Sequence, residues 1–343
     1  MQIDRLELLG VLNGMKAGLS TKAMIEQTDH FCFTDGMVYT YNDREAVSHP
    51  LDLGDVEGAV EADSFLKTVK RFKTKKLTIK GDDESLTVCS GKSNEAELAL
   101  TEITLPLYQE EFDDDDFIDL PGSFTRALNI CRHSVGKEIT KPILTCVHAS
   151  NGFMYASDGK KLTRFDFGDD ASDEMAGEDI NIPSESVRAV TGFKPTRFQI
   201  DDSWIHFGND GDSILSVRYM EGKYLSDKCD ALIDGFEGEG IVFPVNLAEV
   251  LERADVFAKD IISTLAVVTI ELTEGTTLVT SGNEYGNYKG EMDNKYKGRD
   301  LMFSFPPGIL MDMADDIESV QVNSTTILFE SVEYAHVIAL MHR

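Results

Sequence analysis

The densest cluster of groups able to do chemistry in this chain is cationic. Six of its 32 basic residues, Lys67, Lys70, Arg71, Lys73, Lys75 and Lys76, fall within ten positions of a 343-residue sequence whose formal net charge is −29. Ammonium and guanidinium groups gathered on one face suit phosphate oxygens, which they neutralise without reading base identity. The spacing predicts a helix over 63–76, with Phe65, Leu66, Val69 and Phe72 as an apolar stripe and Lys67, Lys70, Arg71 and Thr74 opposite it. Taken alone, that pattern reads as the solvated face of an ordinary amphipathic helix. A second instance shifts the reading toward a shared basic surface. Over 123–137, with Ser123 as N-cap, Phe124, Leu128, Cys131 and Val135 oppose Arg126, Asn129, His133 and Lys137. A further helix over 183–191 adds Arg188, with Lys194 and Arg197 just beyond it.

Carboxylates form the other concentration, Glu110, Glu111 and Asp113 to Asp116. Metal ions need ligands held at set angles, and consecutive loop residues point in different directions, so this run reads as a solvated, self-repelling connector. Catalytic patterns are missing: there is no GxGxxG after a strand, no P-loop, no GxSxG, no HExxH and no paired His and Cys. His148 and His206 alternate with apolar neighbours and read as structural, and Trp204 as core. Five scattered cysteines, with no CxxC pair, read as buried thiols in a reducing compartment rather than as zinc ligands. No metal, cofactor or enzymatic activity is therefore expected. The opening MQIDRLELLG lacks a basic, apolar leader, and no run approaches 18 apolar residues, so a cytoplasmic protein without membrane partners is expected.

The elements that must position these groups recur. Turns at Gly36, Gly152 and Gly275, each between β-prone runs, lie 116 and then 123 residues apart. Each is preceded by a helical segment (4–19, 123–137, 245–258). Each is followed by a second one beginning near 63, 184 or 307 and then by a hairpin (77–100, 197–219, 319–341). Two markers with one long period indicate copies of a domain rather than a short-repeat solenoid. The reading is an α+β chain of three tandem domains, 1–117, 118–235 and 236–343, with enough apolar residues (42%) for real cores. The first helix buries Leu8, Leu12, Met15 and Leu19 and shows a small, nearly uncharged back, Gly10, Asn13, Gly14 and Ala17. The third copy weakens the basic face. Its helix 245–258 mixes Arg253 with Glu249 and Glu252, and 307–317 carries Asp312, Asp315 and Asp316 without a cation. Lys289, Lys295, Lys297 and Arg299 on the preceding loop compensate in part.

Several short motifs, in order along the whole chain, resemble the bacterial replicative sliding clamp, the beta subunit of the polymerase. Pro142-Ile143-Leu144, followed by Ala156-Ser157-Asp158-Gly159-Lys160-Lys161-Leu162, is similar to that family's R-P-x-L and A-T-D-G-H-R-L. Ser90-Gly91-Lys92-Ser93 and Leu105-Pro106 resemble its S-G-R-S and L-P, and Glu221-Gly222-Lys223-Tyr224 its E-G-R-F. The ending, Val337 to Arg343, resembles V-V-M-P-M-R-L.

The resemblance implies three clamp domains per chain and a head-to-tail homodimer. Its helices would line a ring around duplex DNA, antiparallel sheets would form the outer wall, and no catalysis would be its own. Lys67, Lys70, Arg71, Lys73, Arg126, His133, Lys137, Arg188 and Lys194 would then face DNA. The dimer seam would join 93–100 to 266–272. A peptide pocket for the replicative polymerase and the clamp loader would fall on Ser157, Gly159, Lys160, Lys161, Leu162, Leu225, Val337, Ile338, Ala339, Leu340 and Met341. Lys160 and Lys161 replace His and Arg of the family pattern, and Leu225 and Leu340 replace Pro, which would fit a viral or otherwise divergent clamp serving its own polymerase. Two other classes compete: a carboxylate-based metal-dependent hydrolase, and an acidic protein-binding module that never encircles DNA.

Overall fold

The computed structural model describes residues 1–343 apart from 21, 23–24, 83, 106–111, 113, 245, 259–266, 306, 309–316 and 341–343. Alternating apolar residues build antiparallel meanders, and the pairing of these meanders sets the architecture. The chain forms two compact units, Met1–Leu120 with Arg188–Tyr219, and Pro121–Val187 with Met220–Arg343. In the first, one eight-stranded sheet runs Gly58–Glu61, His30–Thr34, Met37–Tyr41, Glu45–Pro50, Ile214–Arg218, Trp204–Gly208, Arg197–Ile200, Ile118–Asp119. In the second, the same order recurs as Ile180–Pro183, Cys146–Ser150, Phe153–Ser157, Lys161–Asp166, Tyr334–Ala339, Thr326–Glu330, Ser319–Val322, Glu239–Gly240. Each unit adds a four-stranded sheet. One is Gln2–Asp4, Lys76–Gly81, Ser85–Ser90, Asn94–Ala99, and the other Gly286–Asp293, Thr276–Asn283, Val268–Thr273, Leu301–Phe305. The front of one repeat thus shares a sheet with the back of the next, so compact units and sequence repeats do not coincide.

Turn chemistry repeats with the strands. Asp35 (φ 53°) and Gly36 (φ 73°), like Asn151 (φ 52°) and Gly152 (φ 80°), both hold positive φ, the mirror-image turn that matches strand twist. A second marker is less visible in sequence. The side-chain oxygens of Asp82, Asp201 and Asn323 each accept the backbone N–H groups two and three residues on, closing the equivalent hairpin in each repeat.

Helices cover the sheets but are shorter than their periodicity predicts. Helix Ala62–Arg71 is capped by Glu61, whose carboxylate accepts from the N–H groups of Asp63 and Ser64. It ends at Phe72, where the backbone turns extended, because Leu77 and Ile79 bury at period two in strand Lys76–Gly81. Lys73 and Lys75 therefore lie in the connecting turn, and Lys76 opens a strand. Phe65 anchors the helix edge-on to Phe31 and Phe33, at 6.2 and 6.1 Å between centroids. Similarly, Phe124–Cys131 is the helix within 123–137; Ser123 precedes it without a capping bond, and Val135 is extended. Lys137 is thereby off the helix, where the Gly136 N–H donates to the Leu144 carbonyl. Pro183 closes a strand, and the helix there is Val187–Phe193, bearing Arg188 but not Lys194. The first helix is Arg5–Gly14, with Leu8 and Leu12 buried and Gly10, Asn13 and Gly14 exposed as expected. Of the two helices read in the third repeat, Leu247–Asp255 is present, while 309–316 lies outside the described residues.

Four cysteines are buried and Cys89 half-buried, and all five are free. Trp204 is buried beneath the Arg218 guanidinium, 4.2 Å from its ring centre. His148 and His206 are fully enclosed and hydrogen-bonded, to Asn181 and Ser150 and to Ser216 and Asp201 respectively. The acidic connector is not wholly solvated: Phe112 packs 4.7 Å from the His206 ring. Pro142–Thr145 is a 3-10 turn, and the strand before the Asn151-Gly152 turn begins at Cys146.

Candidate functional site

A cavity of about 220 Å³ opens in the second unit between the sheet and a helix, Ser226–Asp234, that the sequence reading did not find. The loop between strands Phe153–Ser157 and Lys161–Asp166 forms one wall. Ser157 and Asp158 shape it: the Asp158 carboxylate accepts from the Lys160 and Lys161 N–H groups, and the Ser157 hydroxyl donates to the Lys161 carbonyl and accepts from the Gly159 N–H. Gly159 (φ 85°) sits at the tip, in the left-handed region that favours glycine. Leu162 and Val337, opposite each other on paired strands, form the floor with Tyr224. Leu225 and Leu232 flank the mouth, and both stay large and exposed, at 43% and 45%.

Two lysines on this wall behave differently. Lys160 is exposed, whereas the Lys161 ammonium is turned inward, donates to the His133 carbonyl and lies 3.8 Å from Asp158. Burial pulls the Lys161 pKa down, partly offset by the Asp158 charge. The Cys229 thiol behind the floor is pushed up to about 11 by burial, so it is a packing group and not a nucleophile. The site is an apolar cleft with Lys160 and Lys228 at its rim.

Of the eleven pocket residues read from sequence, eight line this cavity: Ser157, Gly159, Lys160, Lys161, Leu162, Leu225, Val337 and Ala339. Ile338 does not. Successive strand residues point to opposite faces, so Val337 and Ala339 face the cleft while Ile338 is buried on the other side. Leu340 shares the parity of Ile338 and is not part of the lining, and Met341 lies outside the described residues. Leu144, Tyr224, Lys228, Cys229, Leu232 and Thr326 were missed. The helical spacing of Leu225, Cys229 and Leu232 was the available signal.

The cations fall as follows. Lys67, Lys70 and Arg71 are exposed on helix Ala62–Arg71 opposite Phe65 and Val69, and Lys67 pairs with Asp63. Lys73, Lys137, Arg188 and Lys194 are exposed, and His133 is half-buried. Arg126 is exposed and pairs with Glu333 at 2.9 Å. Among the described residues no group of three or more His, Cys, Asp or Glu is placed to hold a metal ion, and no helix is long and apolar enough to cross a membrane.

Strand order, the repeated sheet and the helices over it define the fold of the DNA polymerase sliding clamps. No protein-family model matches the chain, and no curated relative does. Solved structures do. The Bacillus subtilis DNA polymerase sliding clamp aligns with a TM-score of 0.80 at 15% identity, covering 100% of this chain and 98% of that one. The beta chain of DNA polymerase III from Streptococcus pneumoniae aligns at 0.76 and 19% identity, covering 100% and 99%. A sliding clamp from Bartonella birtlesii bound to griselimycin aligns at 0.78 and 15% identity, covering 100% and 99%.

Proposed function

We propose that this protein is a sliding clamp, a non-catalytic processivity factor of the cytoplasm. In this reading, two copies close head to tail around duplex DNA, and the apolar cleft tethers a replicative polymerase and a clamp loader. Three tandem domains, 1–117, 118–235 and 236–343, supply the sheet halves. The observation that carries the proposal is the two unfinished four-stranded sheets. Among the described residues, the front half-sheet of the third repeat has no back half, and the back half-sheet of the first has no front half. Two copies would complete both, giving the eight-stranded sheet already present twice in each chain. The seam expected at 266–272 needs correction: Val268–Thr273 is interior, paired on both sides, and the open edge is Gly286–Asp293. Asn94–Ala99 is the other open edge, as expected. Leaving such edges unpaired invites aggregation, which closure prevents.

The exposed cations suit phosphate contacts that hold DNA centrally without reading sequence. The chain's net charge of −29 discourages binding of DNA to the average surface. Light scattering is expected to give about twice the 38.0 kDa chain mass, with retention on closed circular DNA that linearising abolishes. A monomer, or equal retention on both DNAs, overturns the reading. Reversing Lys67, Lys70 and Arg71 together to Glu is expected to lower loading onto duplex DNA about tenfold or more and to flatten its salt dependence. Unchanged loading removes that helix from the DNA-facing surface.

A further inference from the structure

The two finished sheets specify how the open edges meet. In one unit, strand Glu45–Pro50 pairs with Ile214–Arg218, setting Glu45 opposite Val217, Ala46 opposite Ser216, Val47 opposite Leu215 and Ser48 opposite Ile214. In the other, Lys161–Asp166 pairs with Tyr334–Ala339, setting Lys161 opposite Ile338, Leu162 opposite Val337, Thr163 opposite His336 and Arg164 opposite Ala335. The turns supply the equivalences. Thr276 faces Asp293 as Phe153 faces Asp166 and Met37 faces Pro50, each on leaving its glycine turn. Leu98 faces Leu86, the first residue after the Asp82 turn, as Val217 faces Ile205 and Ile338 faces Ile327 after theirs.

Both templates transfer to one register. We infer that strand Gly286–Asp293 joins strand Asn94–Ala99 of a second copy with Tyr288 opposite Leu98, Lys289 opposite Glu97, Gly290 opposite Ala96 and Glu291 opposite Glu95. This inference rests on the clamp reading above. Side-chain direction agrees with it. Tyr288, Gly290, Ala96 and Leu98 are half-buried toward the helix side, while Lys289, Glu291, Glu95 and Glu97 are exposed on the other face. A slip of one residue would lay Tyr288 against Glu97 or Ala99, both on the exposed face. On the exposed face the joint holds one cation among three carboxylates. Lys289 faces Glu97 directly and Glu95 diagonally, whereas Glu291 faces Glu95 with like charge. Lys289 therefore favours this register, and the like charges of Glu95 and Glu291 weaken the joint.

In a Cys89→Ser background, which removes the half-buried thiol beside Glu95, oxidation of Glu97→Cys with Lys289→Cys is expected to yield a covalent dimer on a non-reducing gel. Opposed Cα atoms lie about 5 Å apart, within disulfide reach, and diagonal ones about 7 to 8 Å. Glu97→Cys with Glu291→Cys is expected to stay uncrosslinked. Lys289→Glu is expected to loosen the dimer about fivefold in light scattering, Glu95→Gln to tighten it by a similar factor, and Lys289→Glu with Glu97→Lys to restore parental behaviour. A dimer that crosslinks through Glu291→Cys, or through neither pair, overturns the register while leaving the ring standing. A parental chain that stays monomeric at every concentration overturns the clamp reading itself.

Discussion

On the proposed clamp reading, Leu225→Asp is expected to weaken capture of a partner's apolar peptide by about 30- to 100-fold, while leaving the fold intact or slightly firmer. Leu225 occupies the N-cap position of helix Ser226–Asp234, where its side chain makes no capping bond, and its exposed body flanks the mouth of the cleft. Aspartate is among the preferred N-cap residues and favours the positive end of the helix dipole, so the helix should gain up to about 1 kcal/mol. An apolar ligand side chain docked there would lose its leucine contact and meet a carboxylate that it must desolvate. Together these cost roughly 2–3 kcal/mol. Lost binding therefore cannot be assigned to unfolding. A fluorescence-anisotropy titration with a short apolar peptide from the cognate polymerase, beside a thermal melt, reads both effects. Parental affinity in the variant would place the partner site elsewhere.

How far the sequence reached depended on the length scale of the signal. The threefold recurrence was legible because Asp35-Gly36 and Asn151-Gly152 demand positive φ, which few residue types tolerate. The loop Ser157 to Leu162 was legible for the same reason, with Gly159 at its tip. Helix ends were not. Periodicity carries the apolar stripe of Ala62–Arg71 on through Phe72, and only the demand of strand Lys76–Gly81 for Leu77 and Ile79 stops it. Strand parity was available but unused. Val337, Ile338 and Ala339 were taken as one block, although neighbours on a strand cannot share a face. Pairing partners lie beyond any local pattern: nothing near Val268–Thr273 tells that both its sides are occupied while Gly286–Asp293 is left open. Helix Ser226–Asp234 was hidden by the acidic residues Asp227, Asp230 and Asp234 along its length, two of which serve Arg164.

Acid is expected to destabilise the pocket-bearing unit from about pH 6.5 downward, through His336. This histidine is fully buried opposite Thr163, at the seam where strand Tyr334–Ala339 joins strand Lys161–Asp166. A hydrogen bond of 2.7 Å links its Nδ1 to Thr163 Oγ1, and Ser134 Oγ lies 2.7 Å from that hydroxyl. Desolvation, reinforced by the Lys161 charge and by His133, lowers the His336 pKa to about 3 from the ordinary 6.5. The unfolded chain thus binds this proton more tightly than the folded one. Stability is fully present above about pH 6.5 and falls on acidification toward pH 3, by up to about 1.4 kcal/mol per pH unit, or roughly 3 kcal/mol by pH 4. His148 and His49, also lowered by burial, act in the same direction, so the diagnostic quantity is a difference between variants. Denaturant unfolding at pH 7, 6, 5 and 4 should show a slope about one proton shallower in His336→Gln, whose amide can still bond Thr163 but cannot take up a proton in this range. Equal slopes in parent and variant would mean that the proton resisted by the fold is not the one on His336.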